Sequence, residues 1–199
     1  MVAEQIRARG IRDERVLAAL ERVPRECFIP ENLRHEAHRD YPVPIGHGQT
    51  ISQPYIVGFM TEALRLDPGH RVLEIGTGCG YQTVVLAELA ADVYSIELIP
   101  ELADRARDTI EGMGYRNVSI RTGDGYNGWP EQAPFDRIIG AAAAPEVPVA
   151  LVDQLAEGGL LVMPIGVAEQ ELRVLRRRGA SVDTLNRLPV RFVPMVRAH

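Results

Sequence analysis

Val72-Leu73-Glu74-Ile75-Gly76-Thr77-Gly78-Cys79-Gly80 decides the fold of this chain. An apolar run that ends in three alternating glycines is a buried strand turning into a helix, with backbone N–H groups bared at the turn. Glu97 follows 21 positions after Gly76, at the end of the next apolar segment, where a carboxylate suits the two hydroxyls of a ribose. Together Gly76, Gly78, Gly80 and Glu97 imply a nucleoside-bearing cofactor. The spacing G-x-G-x-G also discriminates among cofactors, because the dinucleotide fingerprint G-x-G-x-x-G needs a glycine where this chain has Tyr81.

Beyond the loop the chain alternates. Arg71 to Ile75, Asp92 to Glu97, Val118 to Thr122, Arg137 to Ala141 and Leu160 to Pro164 read as strands, with helices over Tyr81 to Ala90, Glu101 to Met113 and about Val149 to Leu155. Short apolar strands separated by helices make a parallel sheet covered on both faces. Glu171 to Arg177 and Leu188 to Val196 alternate polar and apolar residues with no helix between them, as an antiparallel pair does. The expected fold is therefore α/β: a doubly wound, mostly parallel, Rossmann-like sheet with an antiparallel C-terminal edge. Before it, Asp13 caps a helix whose stripe Val16, Leu17, Leu20 and Val23 stops at Pro24. Prolines and glycines break every run from Phe28 to Gln53, so this segment is expected to be irregular, and long irregular segments in compact domains often carry function. A second helix is expected over Tyr55 to Leu66, ended by Asp67-Pro68-Gly69.

With 199 residues, 46% of them hydrophobic, the chain can bury one substantial core. One domain over 1–199 is expected, with a helical, substrate-facing extension over 1–66 and a cofactor-binding sheet over 67–199. A net charge of −5 and no basic run longer than Arg176-Arg177-Arg178 argue against a nucleic-acid partner. Cys27 and Cys79 are far apart and form no C-x-x-C, which fits a reducing compartment. The charged N-terminus lacks a signal-peptide core and no long apolar stretch follows, so a cytoplasmic monomer without membrane contact is expected. His35 and His38 could share a helical face but have no third ligand in view, and no metal is expected.

In open parallel sheets the ligand lies beyond the carboxyl ends of the strands. Glu74, Glu97 and Asp124 fall within or at such ends. Asp124 with Gly125 can accept from an exocyclic amine and face a base, although Thr122-Gly123-Asp124-Gly125 also reads as a plain turn, and Glu74 also reads as a support for the glycine loop. The turn has no nearby Lys and its charged neighbours are acidic, which suits a cationic ligand without phosphate. S-adenosylmethionine combines a sulfonium with an adenosine and an amino-acid end. The motif Val72 to Tyr81 with Glu97 resembles the first two motifs of the class I methyltransferases.

A second stretch narrows the resemblance. Pro44-Ile45-Gly46-His47-Gly48-Gln49-Thr50-Ile51-Ser52-Gln53-Pro54 stands in the irregular segment. With Val23-Pro24-Arg25-Glu26, Phe135-Asp136-Arg137-Ile138 before Ala141-Ala142-Ala143, Gly158-Gly159 before Leu161 to Pro164, and Val190 to Pro194, it closely resembles the protein-L-isoaspartate O-methyltransferase family from about Ile6 to Arg197. The resemblance implies methyl transfer from S-adenosylmethionine to the free α-carboxylate of L-isoaspartyl residues in damaged proteins and peptides. The ester closes to a succinimide, whose hydrolysis returns some normal aspartate. The resemblance further implies that Ser52 lies beside the methyl group and the substrate carboxylate, and that Gln49, Thr50 and Ile51 close over the cofactor. Glu74, Gly76, Thr77, Gly78, Gly80, Glu97, Asp124, Gly125 and Ala141 would line the cofactor site, while Pro54, Tyr55, Arg191 and Val193 would receive substrate.

That chemistry needs no base, since a carboxylate with a pKa near 4 is ionised at neutral pH. It needs alignment and removal of water, because the nucleophile is weak and hydrated. A hydroxyl such as Ser52 can orient one carboxylate oxygen. Alternatively it caps the helix that follows. The segment lacks the glycines of a serine-hydrolase elbow. Cys79, Gly140 and Tyr55 depart from the residues expected at those places in the family, and His47 is assigned no role. Three competing functions remain: a methyltransferase with another carboxylate or small-molecule acceptor, a nicotinamide-dependent oxidoreductase, disfavoured by Tyr81 and the absence of a Tyr-x-x-x-Lys pair, and a non-catalytic binding module.

Overall fold

A computed structural model describes residues 1–198. The N-terminal segment folds as short helical turns, then α1 (Glu14–Arg22), two further 3-10 turns, a hairpin of β1 (Val43–Gly46) and β2 (Gln49–Ile51), and α2 (Pro54–Ala63). Alternation follows with β3 (Arg71–Ile75), α3 (Tyr81–Ala87), β4 (Asp92–Glu97), α4 (Pro100–Gly112), β5 (Val118–Thr122), β6 (Phe135–Gly140), α5 (Val149–Gln154), β7 (Leu155–Ile165), β8 (Gln170–Arg178) and β9 (Ser181–Val190).

The near-continuous apolar run of β3 has a simple cause: it is a central strand with β4 on one side and β6 on the other, and Val72 to Ile75 are all buried. The seven-stranded sheet runs β5-β4-β3-β6-β7-β8-β9, parallel as far as β7 and antiparallel from β7 to β9. Strand order reverses at β3, so a crevice opens beyond the carboxyl ends of β3, β4, β5 and β6. One hydrophobic cluster joins the sheet to the extension through Leu17, Leu20, Val57 and Val84, and a second fills the other face through Leu73, Ile138, Leu151 and Leu161. Asp13 caps α1 as expected, its side chain accepting from the Arg15 N–H. No helix among the described residues is long and apolar enough to cross a membrane.

Three expectations are corrected. The segment expected to be irregular holds the β1–β2 hairpin, pairing Val43 with Ile51 and Pro44 with Thr50. Its turn needs positive φ at Gly46, His47 and Gly48, so the residues that look like breakers are the ones that build it. The last strand is Ser181–Val190, not Leu188 to Val196. As an exposed edge strand it has no buried face to impose clean alternation; its register is set instead by pairing with β8 across the turn at Gly179, from Arg178 with Ser181 to Gln170 with Val190. The residues that follow leave the sheet: Ala143 donates its N–H to Val193 O at 2.8 Å and accepts from Met195 N–H at 2.8 Å. Finally, β7 begins at Leu155 rather than Leu160, running through Gly158 and Gly159 alongside β6 with a register shift between Phe135 and Arg137.

Candidate active site at the carboxyl ends of the strands

The glycine loop after β3 satisfies itself. Gly76 and Thr77 donate their N–H groups to Ile96 O at 2.8 and 3.3 Å, Gly78 donates to Glu97 Oε2 at 2.7 Å, and Gly80 donates to Thr77 O at 2.9 Å. Most of the N–H groups expected to stand bare are therefore engaged, which leaves a phosphate few donors here. Glu97 is only 6% exposed and its Oε1 accepts from the Ile99 N–H at 3.0 Å. Each carboxylate oxygen has a second lone pair, so two acceptor positions remain for a pair of hydroxyls. Gly76, Gly78, Glu97, Ile99, Gly125 and Ala141 line one cleft, roofed by Gln49 and Thr50 and by Val193 to Val196. A Cβ at Gly125 would collide with Ile75 and with Met195, so the backbone comes close to this cleft only because the residue is glycine. The donor set matches a nucleoside that carries no phosphate at the loop, and S-adenosylmethionine fits it.

A second cleft opens on the other side of Thr50. Arg9, Pro42, Ser52, Gln53, Tyr55, Ile56 and the Leu188 to Val193 segment line it, and it shares Thr50, Ala141 and Val193 with the first. A narrower space behind Thr50 joins Ile51 and Ser52 to Gly76, Thr77, Gly78 and Ala141. Ser52 does not cap α2: the N-cap is Gln53, without a side-chain cap bond. Among the described residues nothing hydrogen-bonds the Ser52 hydroxyl, while its carbonyl accepts from Arg25 Nη2 at 2.7 Å.

A profile of the protein-L-isoaspartate(D-aspartate) O-methyltransferase family matches residues 1–199. The chain belongs to this family. It is 55% identical to the protein-L-isoaspartate O-methyltransferase of a Synechococcus species, over 98% of this chain and 84% of that one. Identity is 56% with the namesake of Anaeromyxobacter dehalogenans, over 98% and 95% of the two chains. Among solved structures, a Plasmodium falciparum protein-L-isoaspartate O-methyltransferase in complex with S-adenosyl-L-homocysteine superposes with TM-score 0.85 at 29% identity, covering 99% of this chain and 97% of that one.

Within this member of the isoaspartate methyltransferase family, the structure brings Gln49, Thr50, Gly76, Gly78, Glu97, Gly125 and Ala141 around one cleft and Ser52, Tyr55, Arg191 and Val193 around the other. It leaves six expected site residues outside both clefts. Glu74 is wholly buried beneath the loop, its Oε2 accepting from Thr83 Oγ1 at 2.5 Å and Ser95 Oγ at 2.6 Å, and burial pushes its pKa up to about 7. Thr77 turns its hydroxyl to Ser95 Oγ at 2.6 Å, so only its flank borders the narrow space. Gly80 faces α4: with φ +90°, a Cβ there would lie 2.9 Å from Ile110 Cδ1. Asp124 spends Oδ1 on the Tyr126 N–H at 2.9 Å, capping a short turn, and Gly125 rather than Asp124 reaches the cleft. Pro54 is buried in the first turn of α2 and borders neither cleft. Ile51 lines only the narrow space.

Sequence reasoning missed Arg9, Pro42, Leu188 and Met195, which come from the two ends of the chain and carry no local motif. Arg9 stacks 3.5 Å above the Tyr55 ring and pairs with Asp40 at 2.7 Å, so Tyr55 has a cation on its face. Cys79 is buried, with burial raising its pKa to about 11, and takes no visible part in either cleft. Gly140 leaves no room for a side chain, since a Cβ would stand 2.9 Å from Met163 Cβ. His35 lies 2.9 Å from Glu36 and His38 lies 3.3 Å from Glu26, each histidine with its own carboxylate.

Proposed function

We infer that the two clefts serve one reaction: transfer of the methyl group of S-adenosylmethionine to the free α-carboxylate of an L-isoaspartyl residue in a damaged protein or peptide. The observation that carries this reading is that the clefts meet at Thr50, Ala141 and Val193, beside a serine hydroxyl that no described group engages. When bound, S-adenosylmethionine supplies an electrophilic methyl group on sulfur. Glu97 offers its two remaining acceptor positions to the ribose, and Gly125 gives the base a surface without a side chain. The acceptor carboxylate is already ionised at neutral pH, so the chain has no proton to remove. Ser52 donates its O–H to one carboxylate oxygen and orients it. Thr50, Ala141 and Val193 restrict water at the junction, which removes hydration from a weak nucleophile. Tyr55 and Arg191 border the path of the flanking polypeptide. The backbone nitrogen of the following residue then attacks the methyl ester and expels methanol, closing a succinimide whose hydrolysis returns some normal aspartate. The enzyme is read as a cytoplasmic monomer acting on polypeptides rather than nucleic acid, in keeping with its net charge of −5.

The test is incubation with methyl-labelled S-adenosylmethionine and two peptides that differ only in carrying isoaspartate or aspartate. Label is expected in the isoaspartyl peptide alone. Equal labelling of both, or of neither, would sink the assignment.

A further inference from the structure

Among the described residues one buried cation, Arg25, lines neither cleft. Arg25 opens a 3-10 turn, Arg25–Phe28, and has 0% of its surface exposed. Its hydrogen-bond partners are carbonyls rather than a carboxylate: Nε donates to Ala37 O at 2.8 Å and Nη2 donates to Ser52 O at 2.7 Å. Its guanidinium carbon sits 4.9 Å from the centroid of the Tyr81 ring, which begins α3 directly after the glycine loop. Among the described residues neither Arg25 Nη1 nor the Tyr81 hydroxyl makes a hydrogen bond of good geometry, although the two groups lie close to each other. Burial draws the guanidinium pKa below its ordinary value.

Such a group works against stability. A cation taken out of water with no anion beside it, and with one donor unspent, is costly, and apolar replacements of buried ions are often neutral or stabilising. Its position suggests what it supplies instead. Arg25 touches three separate segments: the end of the 3-10 turn Glu31–Glu36 at Ala37, the junction between β2 and α2 at Ser52, and the helix that leaves the glycine loop at Tyr81. Ser52 has no side-chain hydrogen bond among the described residues, so its hydroxyl is aimed by its backbone. Beside it, Gln53 Nε2 donates to Asp40 O at 3.0 Å. Only a planar fork can serve two carbonyls in fixed directions and stack on a ring at once; the point charge of a lysine cannot.

We infer that Arg25 is a positioning residue for methyl transfer: it holds the Ser52 carbonyl while stacked on Tyr81, and so fixes the Ser52 hydroxyl relative to the glycine loop. This rests on the isoaspartyl reading of the two clefts. Transfer between two bound partners is sensitive to small misplacements, so loosening Ser52 lowers turnover without weakening the cofactor cleft.

The test uses Arg25→Lys and Arg25→Met in the full chain, each also combined with Ser52→Ala. With the isoaspartyl peptide, each single variant is expected to lower kcat by about tenfold or more. The affinity for S-adenosylhomocysteine should stay within about threefold of the parent. In the Ser52→Ala background the same substitutions should change kcat by less than about twofold, because the hydroxyl they position is gone. A folded Arg25 variant with parental kcat, or one whose loss persists in full without the Ser52 hydroxyl, overturns the proposal. Failure of both variants to fold makes Arg25 a folding residue and also overturns it. A parent protein that does not label the isoaspartyl peptide brings down the functional reading and the proposal together; a parent that labels it beside unimpaired variants brings down the proposal alone.

Discussion

Glu74 and Glu97 are the same residue type near the ends of adjacent strands, yet they do opposite things. Glu97 meets the cleft with lone pairs to spare, whereas Glu74 points under the loop to Thr83 and Ser95. Sequence left both roles open for Glu74, because the side-chain direction at each position depends on where the loop folds back. At Glu97 the spacing from the glycines sufficed; at Asp124 the turn reading and the ligand reading could not be separated until Gly125 was seen to reach the cleft. Glu97→Gln keeps the size but sets an amide N–H against one of the two backbone donors it serves. It should weaken S-adenosylhomocysteine binding by about tenfold or more, the scale of a lost hydrogen bond to a charged group. Calorimetry giving parental affinity would remove Glu97 from the ribose site.

At the scale of elements, the parallel core was legible almost to the residue: β3 and β4 match their expected bounds because buried strands announce themselves as apolar runs, and β5, an edge strand with no buried residue, because the strand–helix alternation leaves it between α4 and the Gly123–Gly125 turn. The hairpin β1–β2 and the edge strand β9 were not, since neither has a continuous buried face. The third glycine belongs with the elements too. Gly80 lets α3 start against α4, in a left-handed conformation that a side chain resists. Gly80→Ala is expected to cost about 1–3 kcal/mol of stability through that strain and the Ile110 contact. Its folded fraction should still bind S-adenosylhomocysteine like the parent. A variant of unchanged melting temperature that had lost affinity would return Gly80 to the ligand.

For the whole molecule, Glu74 ties stability to pH. Below its ordinary value of 4.5 the group is protonated folded and unfolded alike. Between 4.5 and about 7 the unfolded chain gives up the proton while the folded chain keeps it, so rising pH favours unfolding across this window. Above it the penalty is complete, on the order of 3 kcal/mol. Glu74→Gln can still accept from both hydroxyls through its carbonyl oxygen and has nothing to ionise. Denaturant unfolding at about pH 5 and at about pH 7.5 should show the parent losing stability relative to the variant. Parallel behaviour of the two would mean that Glu74 does not titrate in that range.

The segment after β9 closes over Ala143 and contributes Val193 to both clefts and Met195 to one of them. That segment lies outside the sheet. Truncation after Val190 would keep the residues of all seven strands and take a wall from both clefts at once.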